Sequence, residues 1–420
     1  MSSSPMSPTF SHAVMAVPPQ AALGDVPIIA RKGVDMLRKN WQFGTIDVVF
    51  PNGKHLAVKG SEPGPAATLL VHDFNFVKRV LASGDIGFCD GYKEGEWDTP
   101  DLATLLEVLT LNSERLGQLL TGNIVTRTIN NIWHAFNKNT KKGSQRNIFA
   151  HYDLGNSFYD KWLDSTMTYS SALFAGRSAE TCDLKAAQQE KYARLAELVD
   201  LKPGQHVLEI GCGWGGFAQY AAETVGAHVT GVTISPAQHD FAVERMQRLG
   251  LSDKVEIKLM DYRDIEGQFD AVVSIEMFEA VGESYWGAYF DKVRAVLKKG
   301  GKAGLQIITI ADEMFDDYRS RADFIQKYIF PGGMLPSLQK LGEQTQKAGL
   351  NLMSNFNFGQ DYAETLKQWT QRFEAAWRDG RIHGFDNQFR KLWLFYLAYC
   401  EAGFRTARTN VVHLELQRAD

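Results

Sequence analysis

Two short stretches of the chain carry residues that could do chemistry, and the first is Val207–Gly216. Its apolar residues are typical of a buried strand, its glycines form a dense turn, and the following 217–223 has a helical composition. Glycines let the backbone approach a ligand, and a helix start offers free N–H groups. The stretch therefore predicts the first βα unit of a nucleotide-binding sheet. The alternative is a glycine turn that binds nothing.

The spacing of the glycines bears on which nucleotide would bind. They stand at 211, 213, 215 and 216, which is not the dinucleotide pattern G-x-G-x-x-G, although Gly216 falls on its third place. An acid, Glu209, comes just before the first glycine. This arrangement favours S-adenosylmethionine (SAM) over a nicotinamide dinucleotide, with Glu209, Gly211 and Gly213 as binding residues.

The second stretch is a pair of carboxylates, Glu276 and Glu279, directly after the apolar run Phe269–Ile275. Carboxylates three residues apart could share one helical face, and the alternative is a pair of solvated surface acids. Loops at the carboxyl ends of parallel strands line the site of an open α/β sheet. We therefore expect these loops to meet at one edge: 211–216, 233–238, 261–262, 276–282 and 308–312.

Alternating strands and helices must position these groups. Predicted strands after the glycine turn are His228–Ser235, Val255–Leu259, Phe269–Ile275 and Lys302–Ile310, with helices such as Phe241–Leu249 and Tyr289–Leu297 between them. Pro236 suits the first position of a helix. The pattern predicts an α/β fold with a doubly wound, mostly parallel sheet covered on both faces. An acid commonly closes the second strand in such folds; hydroxyl and amide groups stand there instead, at Thr233, Ser235 and Gln238.

The chain divides into four parts. Residues 1–25 are Ser/Pro/Met-rich and predict a disordered tail, 26–125 predict a smaller α+β domain for lipid binding or dimerisation, 126–146 predict a basic linker, and 147–420 predict the catalytic domain. The linker is either a helix with a solvated segment or a patch that touches anionic membrane.

Local signals within the α+β domain predict its elements. Strands Gly44–Phe50 and Lys54–Lys59 flank an Asn-Gly turn and predict a hairpin. A helix is predicted at Phe76–Leu81 and another at Leu102–Leu111, with Asp98 as its N-cap. The segment Cys89–Trp97 is predicted to be a loop.

Two aromatic segments follow the predicted sheet. Tyr328–Pro336 is rich in aromatic residues and glycine, which suits the wall of an apolar pocket. The helix predicted at Asn387–Phe404 is aromatic on nearly every side, as expected of a core helix, and the wall of a lipid channel is the alternative.

Composition limits the classes of function. The 420 residues have a formal net charge of −4, so the charge gives no indication of a nucleic-acid partner. Four scattered cysteines form no CxxC pair, so neither a disulfide framework nor a metal site is expected, and a reducing cytoplasm is the expected compartment. No apolar run approaches the ~20 residues of a membrane span.

Six motifs of this chain occur together in one known family: His151–Asn156, Thr168–Ala172, Val207–Gly216, Met277–Gly282, Tyr328–Ser337 and Asp361–Tyr362. With them the chain resembles the cyclopropane-fatty-acyl-phospholipid synthases and related SAM-dependent fatty-acid methyltransferases. The resemblance runs from about Asn147 to the C-terminus and more loosely over the first domain. It implies a class I methyltransferase fold, an unsaturated phospholipid acyl chain as substrate, peripheral association with the inner membrane and a homodimer.

The resemblance also implies roles for individual residues. Glu279 and Tyr362 would belong to the catalytic centre, where the family often binds bicarbonate as proton acceptor. The residues implied in cofactor binding are Tyr169, Ser170, Gly211, Gly213, Thr233, Ile234, Gln238 and Tyr262.

This chain departs from the common family pattern in three places. Ser171 stands where members commonly have Cys, and Ile308 and Ala280 stand where many have His. A second branch of the family shares Glu276 and Gln306 with this chain. Ser171, Glu276 and Gln306 therefore join the catalytic candidates, as ligands of the ion or organisers of the base.

The chemistry implied by the resemblance has physical demands. An alkene is a poor nucleophile, so the methyl group must come from an electrophilic sulfonium, and the resulting carbocation needs a dry site with π-rich or anionic walls. A base that removes a proton from the new methyl group closes a cyclopropane ring, whereas proton loss elsewhere gives a methyl- or methylene-branched chain. A small-amine N-methyltransferase and a non-catalytic lipid-binding protein are the other hypotheses.

Overall fold

A computed structural model describes residues 26–120, 154–178, 181–320 and 323–419. The predicted tail 1–25, the predicted linker 126–146 and the motif residues 151–153 lie outside these residues. Within them the chain forms two sheets, one of four strands and one of seven. No helix of the described part is both long enough and apolar enough to cross a bilayer.

The four-stranded sheet belongs to the N-terminal domain. Its strands are β1 (Phe43–Val49), β2 (His55–Lys59), β3 (Glu62–Val71) and β4 (Trp97–Asp98), in the order β2-β1-β3-β4. The predicted β1–β2 hairpin is confirmed, and β3 pairs with β1 in parallel. The helices of this domain are Ile28–Asn40, Asn75–Ser83, Asp85–Lys93, Leu102–Leu111 and Ser113–Leu120.

Two predictions for this domain are wrong. Asp98 lies in β4, and the N-cap of the next helix is Asp101, whose side chain accepts a hydrogen bond from the Thr104 N–H at 3.0 Å. Cys89–Trp97 is not a loop throughout, because a helix spans Asp85–Lys93. Its Phe88 stacks on Trp97 with ring centroids 4.0 Å apart, so tertiary packing outweighs the low helix propensity of its two glycines.

The seven-stranded sheet forms the second domain. Its order is β10-β11-β9-β8-β5-β6-β7, with β5 to β9 parallel, β11 antiparallel to β9 and β10 antiparallel to β11. The predicted strands and the α/β class are confirmed; β10 and β11 were not predicted. The strands are β5 (His206–Ile210), β6 (His228–Thr233), β7 (Val255–Leu259), β8 (Phe269–Ile275), β9 (Leu297–Ile310), β10 (Leu350–Asn357) and β11 (Thr409–Arg418).

Helices connect these strands. Pro236 opens its helix as predicted, with Ser235 as the N-cap. The strand order reverses beside β5, which has β6 on one side and β8 on the other; ligands bind at such a switch point. The longer helices of this domain are Leu184–Leu198, Pro236–Arg248, Trp286–Val296, Leu338–Lys347, Gly359–Arg378 and Asn387–Arg405. The shorter α-helices are Asn156–Tyr159, Gly216–Tyr220, Phe315–Arg319 and Phe324–Tyr328, with a π-helical turn at Ala221–Val225 and 3₁₀ helices at Tyr262–Asp264, Phe278–Ala280, Glu283–Tyr285 and Asp312–Met314.

The last long helix, Asn387–Arg405, joins the two domains. Its fully buried Phe395 lies against Phe88 and Trp97 of the first domain, with ring centroids 6.3 and 6.5 Å away. Arg405 forms an ion pair of 3.0 Å with Glu107 across the same interface. The interpretation as a core helix is therefore confirmed, and the two domains share one apolar core.

Close helix packing in the first domain gives a stability prediction. A Cβ atom on Gly87 would lie 2.0 Å from the carbonyl oxygen of Arg79, whereas one on Gly33 would meet nothing within 4 Å. We expect G87A to lower the free energy of unfolding by about 1–3 kcal/mol, since the backbone must shift. The control G33A should leave it unchanged or raise it by up to about 1 kcal/mol. Urea denaturation followed by circular dichroism measures both, and equal effects would contradict the packing argument.

Candidate active site

A cavity of about 780 Å³ lies at the carboxyl ends of β5, β6, β8 and β9. The glycine turn forms one wall. The opposite end reaches helices of the N-terminal domain, where Ile86, Leu106 and Leu109 line it. The predicted pocket wall Tyr328–Pro336 contributes Phe330, Pro331, Gly333 and Met334. The loops expected to meet at this edge do meet there.

The glycine turn is an open shelf on the cavity. Gly211 and Gly213 have φ of +82° and +52°, which glycine adopts readily, and a Cβ on Gly213 would meet nothing within 4 Å. The N–H groups of Gly211 and Cys212 both donate to the carbonyl oxygen of Val232, at 2.9 Å, which ties the turn to β6. A ligand can therefore lie directly on the backbone here.

The residues predicted to bind a cofactor all line this cavity. Thr233 Oγ1 donates to Gln238 Oε1 at 3.0 Å, and the hydroxyls of Tyr169 and Tyr396 lie 2.7 Å apart. Residues from four separate loops thus face one space: Tyr169, Ser170, Glu209, Gly211, Gly213, Thr233, Ile234, Gln238 and Tyr262.

Two carboxylates of the lining have an oxygen without a partner among the described residues. They are Glu209, which is 2% exposed, and Glu279, and in each case the oxygen is Oε2. Burial raises the pKa of both groups, to about 8 for Glu279, where the charge of Glu276 adds to the effect. A cationic ligand would compensate for this buried acidity. The residues therefore fit SAM, which carries a sulfonium and an ammonium group.

Glu276 is the centre of a second arrangement. Its Oε1 accepts hydrogen bonds from the Ser171 N–H at 2.8 Å and from Gln306 Nε2 at 2.7 Å, and its Oε2 accepts one from the Tyr362 hydroxyl at 2.7 Å. Burial raises the pKa of Glu276, whereas these donors and the charge of Lys191 lower it. Obligate N–H donors on Oε1 match the ionised carboxylate.

The sequence had suggested that Glu276 and Glu279 share one helical face, and this prediction is wrong. The alternative, a pair of solvated surface acids, is wrong as well, because both line the cavity. Glu276 lies before the 3₁₀ helix Phe278–Ala280 and has a left-handed backbone, with φ of +49°. Glu279 lies within that helix, so the two residues do not belong to one helix. Glu279 Oε1 accepts the N–H of Ile308 at 2.5 Å. A backbone N–H group of β9 therefore contacts Glu279 at Ile308.

The structure separates the five catalytic candidates into two layers. Glu276, Glu279 and Tyr362 line the cavity, whereas Ser171 and Gln306 do not. Ser171 and Gln306 are both fully buried, and they donate to Glu276 from behind; the Ser171 hydroxyl donates to the carbonyl oxygen of Ala172.

Sequence reasoning missed the residues that hold these groups in place. Lys191 is fully buried and donates to Ser170 Oγ at 2.7 Å, and His413 Nε2 lies 2.8 Å from Gln306 Oε1. Asp361 Oδ2 accepts the Phe174 N–H at 2.6 Å, and Thr365 Oγ1 accepts the Ala172 N–H at 3.1 Å. Asp361 stood in a motif and could have been found; the others lie in ordinary helix and strand patterns with no signal.

The raised pKa of Glu279 gives a pH prediction. Burial raises the pKa of Glu279 to about 8, so the folded chain holds this proton up to about pH 8, whereas the unfolded chain loses it near pH 4.5. Its stabilising contribution is therefore complete below about pH 4.5 and is lost as the pH rises to about 8. Over that range the wild type should lose stability relative to E279Q, which cannot titrate. Urea midpoints of both proteins at several pH values test this, and a constant difference between them would contradict it.

Comparisons with known proteins agree with this geometry. The model of the family described as mycolic acid cyclopropane synthetase matches residues 139–414, more than half of the chain. Tuberculostearic acid methyltransferase UfaA1 of Mycobacterium tuberculosis is 38% identical over 392 residues, covering 91% of this chain and 90% of that protein. Cyclopropane-fatty-acyl-phospholipid synthase of Escherichia coli is 37% identical over 351 residues, covering 83% of this chain and 87% of that protein.

A solved structure extends the likeness to the fold. Mycolic acid cyclopropane synthase CmaA1 complexed with SAH and CTAB has a TM-score of 0.60 and 27% identity, covering 65% of this chain and 98% of that one. The resemblance found in the motifs is confirmed, as is the class I methyltransferase fold. The chain belongs to the mycolic acid cyclopropane synthetase family of SAM-dependent methyltransferases.

Proposed function

We propose that this protein methylates the cis double bond of unsaturated phospholipid acyl chains and forms cyclopropane fatty acids. One observation carries the proposal: a single cavity joins the glycine shelf and the acids Glu276 and Glu279 to an apolar end between the domains. An acyl chain lying in that apolar end would bring its double bond to the acids. A small polar amine would leave the apolar end unused.

The methyl donor would lie on the glycine shelf. Gly211, Gly213 and the Thr233–Gln238 pair would hold the nucleoside and amino-acid parts, and Glu209 and Glu279 would face its positive charges. When bound, SAM supplies an electrophilic methyl group on a sulfonium, and the donor leaves as a neutral thioether. The chain's own task is to place an alkene beside that methyl group and keep water away.

The cavity walls suit a short-lived carbocation on the acyl chain. Tyr362 stacks on Phe404 with ring centroids 4.4 Å apart, and Tyr396 and Phe330 lie nearby, at 6.2 Å from each other. Ring faces attract a cation, and an apolar lining excludes the water that would trap it. These aromatic groups can therefore stabilise positive charge without reacting with it.

A base next to the new methyl group completes the proposed reaction. Loss of a methyl proton leaves the C–H electron pair to bond with the cationic carbon, which closes the ring. Ser171 and Gln306 act as positioning residues, since they contact Glu276 and not the cavity.

A methyl- or methylene-branched product is the second candidate. It is supported by the relative that covers more of this chain, tuberculostearic acid methyltransferase. Both products share the methyl transfer to the double bond. A 1,2-hydride shift before the base takes a proton from the new methyl group would give a methylene branch, and loss of a chain proton would give a methyl-branched alkene.

The physical setting of the reaction is also a proposal. An unsaturated phospholipid would reach the cavity from the surface of the inner membrane, with the protein on the cytoplasmic side as a peripheral homodimer. The apolar contribution of Ile86, Leu106 and Leu109 to the cavity supports a lipid-binding role for the N-terminal domain.

Incubation with SAM and vesicles of unsaturated phospholipid tests the function. We expect the acyl chains to gain the mass of one methylene group, as measured by mass spectrometry. A product that resists mild hydrogenation would contain a ring, whereas a methylene-branched product would take up hydrogen at its C=C bond. Methylation of small amines without vesicles, and no gain on any unsaturated lipid, would contradict the proposal.

The apolar end of the cavity gives a second prediction. Leu109→Trp fills the space expected to hold the acyl chain, so lipid methylation should fall by about 10-fold or more, as expected when a substrate is displaced. Calorimetry should show SAM binding unchanged, because the glycine shelf is untouched. Leu81→Trp, at a residue that is 36% exposed and outside the cavity lining, is the matched control. Equal activity of the two variants would contradict an acyl site here.

A further inference from the structure

The carboxylate of Glu276 occupies a cluster of hydrogen-bond donors that would suit a small planar anion. Three donors converge on it: the Ser171 N–H, Gln306 Nε2 and the Tyr362 hydroxyl, all within 2.8 Å. They come from a loop, from β9 and from the helix Gly359–Arg378. Three separate elements thus supply the kind of cradle that holds a free carboxylate or bicarbonate, and a side chain of this chain already occupies it.

The orientation of Gln306 shows that the cradle is built for an anion. Burial lowers the pKa of His413 well below its usual value, so its ring is neutral, and its Nδ1 has no partner among the described residues. The Ser171 carbonyl oxygen, which can only accept, lies 3.3 Å from Gln306 Nε2, so the amide oxygen Oε1 faces His413 and accepts from its Nε2 at 2.8 Å. With its oxygen held in this way, the Gln306 amide must present its N–H₂ group to Glu276.

The backbone pays a conformational cost to put this side chain here. Glu276 has φ of +49°, in the left-handed region that glycine favours and where other residues cost about 1 kcal/mol or more. A glycine would relieve the strain but would remove the carboxylate. Strain retained at a buried acid in a cavity wall indicates that the acid itself has a use.

Charge in the pocket argues against a second anion. The charged groups that act on Glu276 and Glu279 are these two acids themselves and one buried ammonium, Lys191. Burial lowers the pKa of Lys191 to about 7, while the charges of Glu276, Asp164 and Glu209 oppose the shift. A free bicarbonate would meet the Glu276 carboxylate and find the hydrogen-bond donors around it already taken, so it does not fit this site.

Resting on the proposed function, we propose that Glu276 is the resident proton acceptor of the reaction, so that turnover requires no bicarbonate. A proton from the new methyl group passes to a Glu276 carboxylate oxygen, and the C–H electron pair closes the ring. The protonated Glu276 returns its proton to water when the product leaves. No further reactant is needed, and Tyr362, Ser171 and Gln306 act as positioning residues.

Lipid methylation measured in buffer purged of carbon dioxide, with and without added bicarbonate, tests this inference. The wild type should show equal rates in both, and calorimetry should detect no bicarbonate binding to it. A wild type that is active only with bicarbonate would overturn the inference and leave the proposed function standing. No mass gain in either buffer would overturn the proposed function, and the inference with it.

Two substitutions at the same residue sharpen the test. E276Q keeps the shape of the side chain but cannot accept the proton, so activity should fall by about 100-fold or more, without rescue by bicarbonate. E276G removes the carboxylate and relieves the positive φ, so it should remain folded, lose activity in purged buffer and recover part of it with bicarbonate. SAM binding should persist in both. An E276Q variant as active as the wild type would show a merely structural role and overturn the inference.

Discussion

The buried carboxylate of Glu276 is the interaction on which the rest of the site depends. An unpaired buried charge is costly, so it persists only where donors and an opposite charge surround it. Here the donors come from β9, from the loop before the catalytic sheet and from the helix Gly359–Arg378, with Lys191 as the buried cation. Satisfying one side chain therefore fixes the relative positions of three elements around the cavity.

The sheet supplies the rigidity that this arrangement needs. β9 lies between β8 and β11, so Gln306 pairs with Ile275 on one side and with His413 on the other. The strand register thus places Gln306 next to Glu276, which follows β8, and next to His413, whose ring orients the Gln306 amide. The apolar part of the cavity has a different origin, because it forms only where the N-terminal domain packs on the helix Asn387–Arg405.

Local patterns predicted the parallel strands well, because buried strands read as short apolar runs bounded by turn residues. β10 was not predicted, since seven of its eight residues are exposed and its sequence is mostly polar. β11 follows a long helix without a strong turn signal, and its partner β9 is distant in the chain. The helix Asp85–Lys93 was not predicted either, because stacking of Phe88 on Trp97 stabilises it and the helix propensity of its residues does not.

From the sequence alone came the glycine shelf, the acids after β8 and the family, because each depends on neighbouring residues whose types and spacing are local. The tertiary structure alone decided that Ser171 and Gln306 lie behind Glu276, that Lys191 and His413 support the site, and that Glu276 has a left-handed backbone. These facts depend on contacts between residues 21 to 107 positions apart or on one dihedral angle. Neither leaves a periodic trace in the sequence, since only packing and hydrogen bonding across the folded sheet bring them about.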